Sequence, residues 1–415
     1  MRIAKPELIA PAGDWASLVS AVENGADSVY FGVKGLNMRN LAGNFDLLEF
    51  KKITDFLHSR ARKGYLALNV LVRNSELKKI ETILRKAKTA AVDAVILWDA
   101  AVLAAAKRIG IAAHLSTQAS VANSAGFEFY SRLGVKRIVL ARECTLREIA
   151  EIARYKNKNK LRAEIEAFIH GAMCISISGR CFLSGYSSGK AANRGECLQY
   201  CRREFLIKDT QEGMEYTLGR DYVLSAKDLC TIDFIEQLLQ AGISAFKIEG
   251  RGRSAEYVST VTSVYRRAID AGYEGRLDPG MKARLKEELA AVFNRGFSSG
   301  FYFGYPLDAQ SRGLENKYEK VFLGEVARFF KKINVAEILL RNGALRSGQE
   351  ILIIGKKTPA RVTIAAELQQ EHKFVETAAQ GTAVGVKLSF SVRPRDKVFL
   401  WRPKTDNPAA EDEGL

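Results

Sequence analysis

The sequence predicts an α/β chain built on a (β/α)8 TIM-like barrel, with a cysteine-rich insertion after strand seven and a small C-terminal β-barrel. Three observations lead there: eight short apolar runs separated by helical stretches, one interval that breaks the rhythm, and a late change to alternating strand patterns.

The eight apolar, β-branched runs occupy 8–10, 28–31, 65–71, 94–98, 112–115, 137–141, 164–169 and 245–248. Amphipathic stretches such as 15–24, 47–63, 77–91 and 145–155 lie between them, so each strand is followed by a helical crossover. Eight such units favour a closed barrel over an open doubly wound sheet.

The interval 171–244 breaks the pattern, holding five cysteines and a predicted hairpin over 205–224. In a barrel the loops that follow strands form the catalytic face, so an insertion there sits over it. Helices are expected over 255–271 and from Asp278 and Pro279 to 293. From about 318 to 401 the pattern alternates, with runs at 322–327, 335–340, 350–354, 383–388 and 397–401 and turns such as Arg341-Asn342-Gly343. The expected boundaries are a barrel over 1–315, a β-barrel over 316–403 and an acidic, disordered tail over 404–415.

With 47% hydrophobic and 27% charged residues, a chain of 415 buries a full core. The first residues carry no uninterrupted apolar stretch, and no later run nears the roughly 20 residues that cross a bilayer. The expectation is therefore a soluble, cytoplasmic protein with no membrane partner. Lys and Arg number 63 against 47 acids, a net charge of +16. That suits a polyanion, RNA first, although a generally basic surface explains it equally, because the cations are scattered.

Of six cysteines, Cys174, Cys181, Cys197, Cys201 and Cys230 fall in the insertion, while Cys144 stands apart. In a reducing compartment such clustering reads as metal ligation. The first four are separated by six, fifteen and three residues, and Gly171, Gly179, Gly185, Gly189 and Gly195 permit the tight turns that convergence needs. Arg180, Arg194, Arg202 and Arg203 offset the charge of bound thiolates. A structural zinc is the competing reading, but only Cys197 to Cys201 has knuckle spacing. Unligated thiols packed as small hydrophobes are the other. An iron–sulfur cluster, which takes four ligands and leaves Cys201 or Cys230 spare, fits better than either.

Polar residues end nearly every predicted strand: Asp14, Asn69, Asp99, Ser116 with Gln118, Arg142 with Glu143, His170, and Lys247 with Glu249 and Arg251. Asp14 reads as a helix cap. The rest project into one pocket, where carboxylates move protons and cations hold an anionic small molecule. Glu143, Glu249 and Arg251 are thus the candidate catalytic residues, and Asn69, Gln118, Arg142, His170 and Lys247 the candidate substrate-binding ones.

The runs Pro6-Glu-Leu-Ile-Ala-Pro-Ala-Gly13, Leu115-Ser-Thr-Gln118, His170-Gly-Ala-Met-Cys174, Ser178-Gly-Arg-Cys181, Asn193-Arg-Gly-Glu-Cys197 and Cys201-Arg202 resemble the collagenase-like peptidase family U thirty-two. So do Ser225-Ala-Lys-Asp-Leu-Cys230, Lys247-Ile-Glu-Gly-Arg251 and Phe293-Asn-Arg-Gly-Phe297. The resemblance spans the barrel almost end to end. It implies a 4Fe-4S protein supporting oxygen-independent hydroxylation of tRNA, ribosomal RNA or ubiquinone precursors, despite the inherited peptidase label. Members with a C-terminal β-barrel are most similar to the branch that makes 5-hydroxyuridine at the tRNA wobble position, with prephenate as hydroxyl donor. By position, the resemblance implies Cys174, Cys181 and Cys197 as ligands, with Cys201 or Cys230 the fourth. It leaves room for a homo-oligomer or an assembly with a paralogue. Ile177 stands where an aromatic is usual and Ala100 where proline often follows Asp99; neither removes a functional group.

Two other classes stand beside RNA hydroxylation. A cysteine protease needs a thiolate beside a histidine base; His170 is four residues from Cys174, but no orienting third group is recognisable, nor is there a His-Glu-x-x-His helix. A non-catalytic RNA-binding factor with a purely structural cluster is the third.

Overall fold

The computed structural model describes residues 4–404 except 206, 209–210, 212–214, 217–221, 307–309 and 312–313. It divides into two compact units, Met1–Leu289 with Phe293–Glu315, and Ala290–Val292 with Asn316–Leu415.

In the first unit eight parallel strands, β1 (Glu7–Ala12), β2 (Ser28–Gly32), β3 (Lys63–Ala67), β4 (Ala94–Leu97), β5 (Ala113–Leu115), β6 (Arg137–Val139), β7 (Glu164–Ala172) and β8 (Ala245–Ile248), pair in sequence order. β8 pairs with both β1 and β7, which closes the barrel. All eight predicted runs fall on these strands. They are legible because a parallel strand covered on both faces reads as a continuous apolar run; every residue of β2 and β4 is buried.

The helical layer follows from local chemistry. Asp14 Oδ1 accepts from the Ser17 N–H at 2.8 Å and starts helix Trp15–Glu23, as expected of a cap. Asp99 caps Ala100–Ile109 in the same way. Thr145 and Glu148 form a capping box on Leu146–Lys158, whose buried Ile149, Ile152 and Ala153 share one face.

The lumen is filled by side chains. Ile9, Tyr30, Tyr65 and Ile96 pack together. Lys247 Nζ meets Glu166 Oε1 at 2.7 Å with both groups buried, and Arg137 joins Glu166 to Glu7. Buried ion pairs therefore tie β1, β6, β7 and β8 together inside the lumen.

Two departures position the site. In β7, Phe168 pairs with Lys247 and His170 with Ile248, so Ile169 is an extra residue and the strand bulges. Then, after the insertion, Asp228–Cys230 runs antiparallel to β7, with Cys230 opposite His170. The insertion itself holds short turns, a six-residue helix Leu183–Ser188, a two-residue ladder joining Ile207–Lys208 to Glu215–Tyr216, and a strand Tyr222–Ala226 that pairs antiparallel with Gln310–Ser311 instead of completing the predicted hairpin. The remainder of the predicted 205–224 hairpin lies largely outside the described residues.

The second unit is an eight-stranded antiparallel sheet. Alternate residues of Val335–Leu340 and the middle of Glu350–Ile354 enter its core with Leu323, Val384 and Val398. Except for Lys404, the predicted acidic tail lies outside the described residues. Among the described residues no helix is long and apolar enough to cross a membrane.

Candidate metal centre and anion pocket

The strand ends open into a cavity of about 560 Å³. β8 contributes Lys247 and, just beyond it, Glu249 and Arg251, alternate residues that all reach the cavity. Arg142 and Glu143 follow β6, Asn69 follows β3, and Ser116 with Gln118 follows β5. Asn69 Nδ2 donates to Ser116 Oγ at 3.2 Å and Gln118 Oε1 at 3.3 Å, giving the wall a polar amide edge.

Charge is unevenly matched here. The lining cations are Arg39, Arg142, Arg202, Lys247, Arg251 and Arg295, six in all, against the two carboxylates Glu143 and Glu249. Glu249 is clamped by Arg39 and Arg142, each at 3.2 Å. Burial alone would raise its pKa, but Arg39, Arg142, Arg251 and Lys247 outweigh that and hold the carboxyl at about 2. Arg251 is buried, and its protein hydrogen bond is a long one, 3.5 Å, to Asn44 Oδ1. Burial brings its guanidinium down to about 10. That group is therefore available to an incoming anion. Gly32 makes room for it, since a Cβ there would run into Arg251 Nη1 and Asn44 Oδ1. Glu143 Oε1 accepts from the Ser178 N–H at 3.1 Å, while its buried Oε2 finds no partner among the described residues.

Cys174, Cys181, Cys197 and Cys201 line this same cavity. Burial raises the Cys201 thiol, the charges of Cys174, Cys197 and Cys181 raise it further, and Arg202 opposes them. The four sulfurs thus share one electrostatic neighbourhood. Leu183 N–H donates to Cys181 Sγ at 3.3 Å, the kind of bond that supports a ligating thiolate. Among the described residues no three Cys, His, Asp or Glu side chains stand as a finished cage. Mutually repelling thiolates close only around a cationic centre, and Gly179, Gly189 and Gly195, all at positive φ, give the segment its turns. The donor set fits a thiolate-held centre in composition, and all four thiols line one cavity.

Three expected site residues fall elsewhere, the first being Asp99, which caps helix Ala100–Ile109 instead of lining the cavity. The β7 bulge turns His170 out of the lumen: its ring packs against Tyr257, Tyr265 and Phe297, with Nδ1 3.2 Å from the Tyr265 hydroxyl. Burial, aided by Arg253, depresses it to about 3, so it is a neutral core residue. Cys230 sits beside it, buried and 3.7 Å from the same hydroxyl, its thiol pushed up to about 11 chiefly by burial. Neither lines the cavity.

Sequence reasoning missed Arg39, Tyr30 and Arg295. Arg39 rides an irregular loop folded by Asn37, which donates to the Val33 carbonyl at 2.5 Å, and by Asn44, which donates to the Arg39 carbonyl at 2.9 Å. The asparagine-rich stretch was the available signal. Tyr30 packs beneath the Lys247 ammonium, 4.6 Å from its ring centre. Arg295 lies in the Phe293–Phe297 motif and stacks on Phe293.

The family model for peptidase family U32 matches residues 13–312. An uncharacterised protease of Methanocaldococcus jannaschii is 43% identical over 95% of this chain and 98% of its own. A collagenase of Porphyromonas gingivalis is 37% identical over 95% of this chain and 97% of its own. The tRNA hydroxylation protein P1 of Bacillus subtilis is 34% identical over 85% of this chain and 84% of its own.

Proposed function

Because this chain belongs to peptidase family U32, in which relatives carry both collagenase and tRNA hydroxylation names, we propose that it hydroxylates RNA. The specific reading is oxygen-independent conversion of the tRNA wobble uridine to 5-hydroxyuridine, with an anionic co-substrate such as prephenate as hydroxyl donor. The observation that carries it is the meeting of four thiols and an excess of cations in one cavity.

Cys174, Cys181, Cys197 and Cys201 would hold a 4Fe-4S centre, which when bound supplies redox and Lewis-acid chemistry at the cavity wall. Arg251, with no carboxylate in direct ion-pair contact among the described residues, takes the donor's carboxylate, and Arg142 supplements it. Glu249 keeps Arg39 and Arg142 in place. Glu143, with one oxygen unpartnered, holds or moves a proton. Asn69 and Gln118 face the polar edges of whatever occupies the cavity, and Lys247 secures the floor.

The collagenase-named relative favours peptide hydrolysis as a second reading. The geometry argues against it: among the described residues no histidine lines the cavity, so no thiol there has an imidazole base.

The test is nucleoside analysis of tRNA from cells lacking the protein. Loss of 5-hydroxyuridine, restored by the wild-type chain but not by Arg251→Ala, supports the proposal. Unchanged tRNA together with gelatin cleavage by the purified protein overturns it. Anaerobic purification should yield roughly four irons per chain; colourless, iron-free protein would remove the cofactor assignment.

A further inference from the structure

Around the cavity mouth the insertion and the segment that follows helix Pro279–Ala291 leave large apolar side chains in water. Tyr186 is 89% exposed, Tyr305 86%, Phe182 67% and Ile177 63%, and Tyr305 and Ile177 also line the cavity. The rings of Phe182 and Tyr186 lie 6.1 Å apart, and the Arg203 guanidinium sits 4.0 Å over the Tyr200 ring. Large apolar faces left in water around one opening are costly unless something covers them.

Its charge indicates what does. Between 174 and 205 the cations are Arg180, Lys190, Arg194, Arg202 and Arg203, against Glu196 and Glu204, and only Arg194 among them is ion-paired elsewhere among the described residues, with Glu76. Arg180, Lys190 and Arg203 are exposed. Flat faces interleaved with unneutralised cations suit unpaired bases on a phosphate backbone, each base stacking on a ring and each phosphate meeting a cation. An acidic protein segment would answer the charge without using the aromatic faces.

We propose that Phe182, Tyr186, Tyr200 with Arg203, and Tyr305 form a stacking platform for unpaired bases flanking the nucleotide that enters the cavity. The inference rests on the RNA reading and gives that substrate a place on the surface. A base within a helix cannot reach a cavity of this kind, so the reacting nucleotide is extruded from its stack. Its neighbours then need new faces to stack on, and the rim supplies them.

The experiment measures the affinity of the anaerobically purified full chain for a fluorescent tRNA anticodon stem-loop and for a blunt duplex made from the same stem. Tyr186 is nearly fully exposed, so Tyr186→Ala leaves the core intact. It is expected to weaken stem-loop binding about tenfold, one base's stacking contribution, to leave duplex binding unchanged, and to be rescued by Tyr186→Trp. Stem-loop affinity equal to wild type in Tyr186→Ala, or an equal loss on the duplex, overturns the platform. So does a Tyr186→Ala chain that keeps its RNA affinity and loses a protein partner instead. Wild-type protein that restores tRNA hydroxylation without binding the loop removes the platform alone; unchanged tRNA in cells lacking the protein removes the RNA reading beneath it.

Discussion

Glu249→Gln isolates the electrostatics that hold the cavity together. The carboxyl falls from an ordinary 4.5 to about 2, which at ~1.4 kcal/mol per pH unit is about 3 kcal/mol of stabilisation. The Arg39 side chain is 38% exposed and that pair is partly screened, so about 2 to 3 kcal/mol is expected. The sign follows from the direction of the change. A carboxyl held low in the folded state contributes fully above its unfolded value of 4.5, and that contribution is lost as the pH falls toward about 2. Urea unfolding of wild type and Glu249→Gln, followed by fluorescence of the barrel tryptophans Trp15 and Trp98, should show the full difference at roughly pH 7 and 5 and a smaller one near pH 3. A difference that stays constant across that range, or none at neutral pH, would refute the reasoning.

Three further experiments probe neighbouring claims. Gly32→Ala pushes a methyl group into Arg251 Nη1 and Asn44 Oδ1 and should cut hydroxylation tenfold or more, in order of magnitude, with the iron content unchanged; normal turnover would show that Arg251 need not occupy that place. Cys201→Ser should lose iron and visible absorbance in anaerobic preparations while Cys230→Ser keeps both, and the opposite pattern would make Cys230 the fourth ligand. Lys247→Met leaves Glu166 buried with only Arg137, 3.7 Å away, to answer it. It should cost about 3 kcal/mol in the same unfolding assay, most of it recovered by adding Glu166→Leu; a single variant as stable as wild type would dismiss the buried pair.

How far the sequence could be read depended on how regular the backbone is. Lys247, Glu249 and Arg251 were legible as a site because alternate residues leaving a buried strand share one side, and all three reach the cavity. Phe168 and His170 look like the same alternation, yet the bulge at Ile169 breaks it. Nothing in the sequence marks that bulge except Gly171 beside it, at φ +107°. Spacing alone left open which of Cys201 and Cys230 faces the cavity, because what places Cys230 is an antiparallel strand that returns it beside His170 on β7. Arg39 has no periodic context at all; its position depends on side-chain hydrogen bonds within one loop. In the second unit, Val335–Leu340 and Glu350–Ile354 have the expected bounds, whereas Arg361–Ile364 and Lys373–Val375 are very short and leave Val362, Ile364 and Phe374 exposed, so no buried face sets their pattern.

The surplus of cations over carboxylates in the cavity means that an anion entering it relieves repulsion already present in the folded chain and absent from the unfolded one. Occupancy therefore raises the melting temperature, and a compound at about a hundredfold its dissociation constant adds ~2.7 kcal/mol. A thermal-shift screen of small carboxylates and phosphates would rank the anions that the cavity accepts.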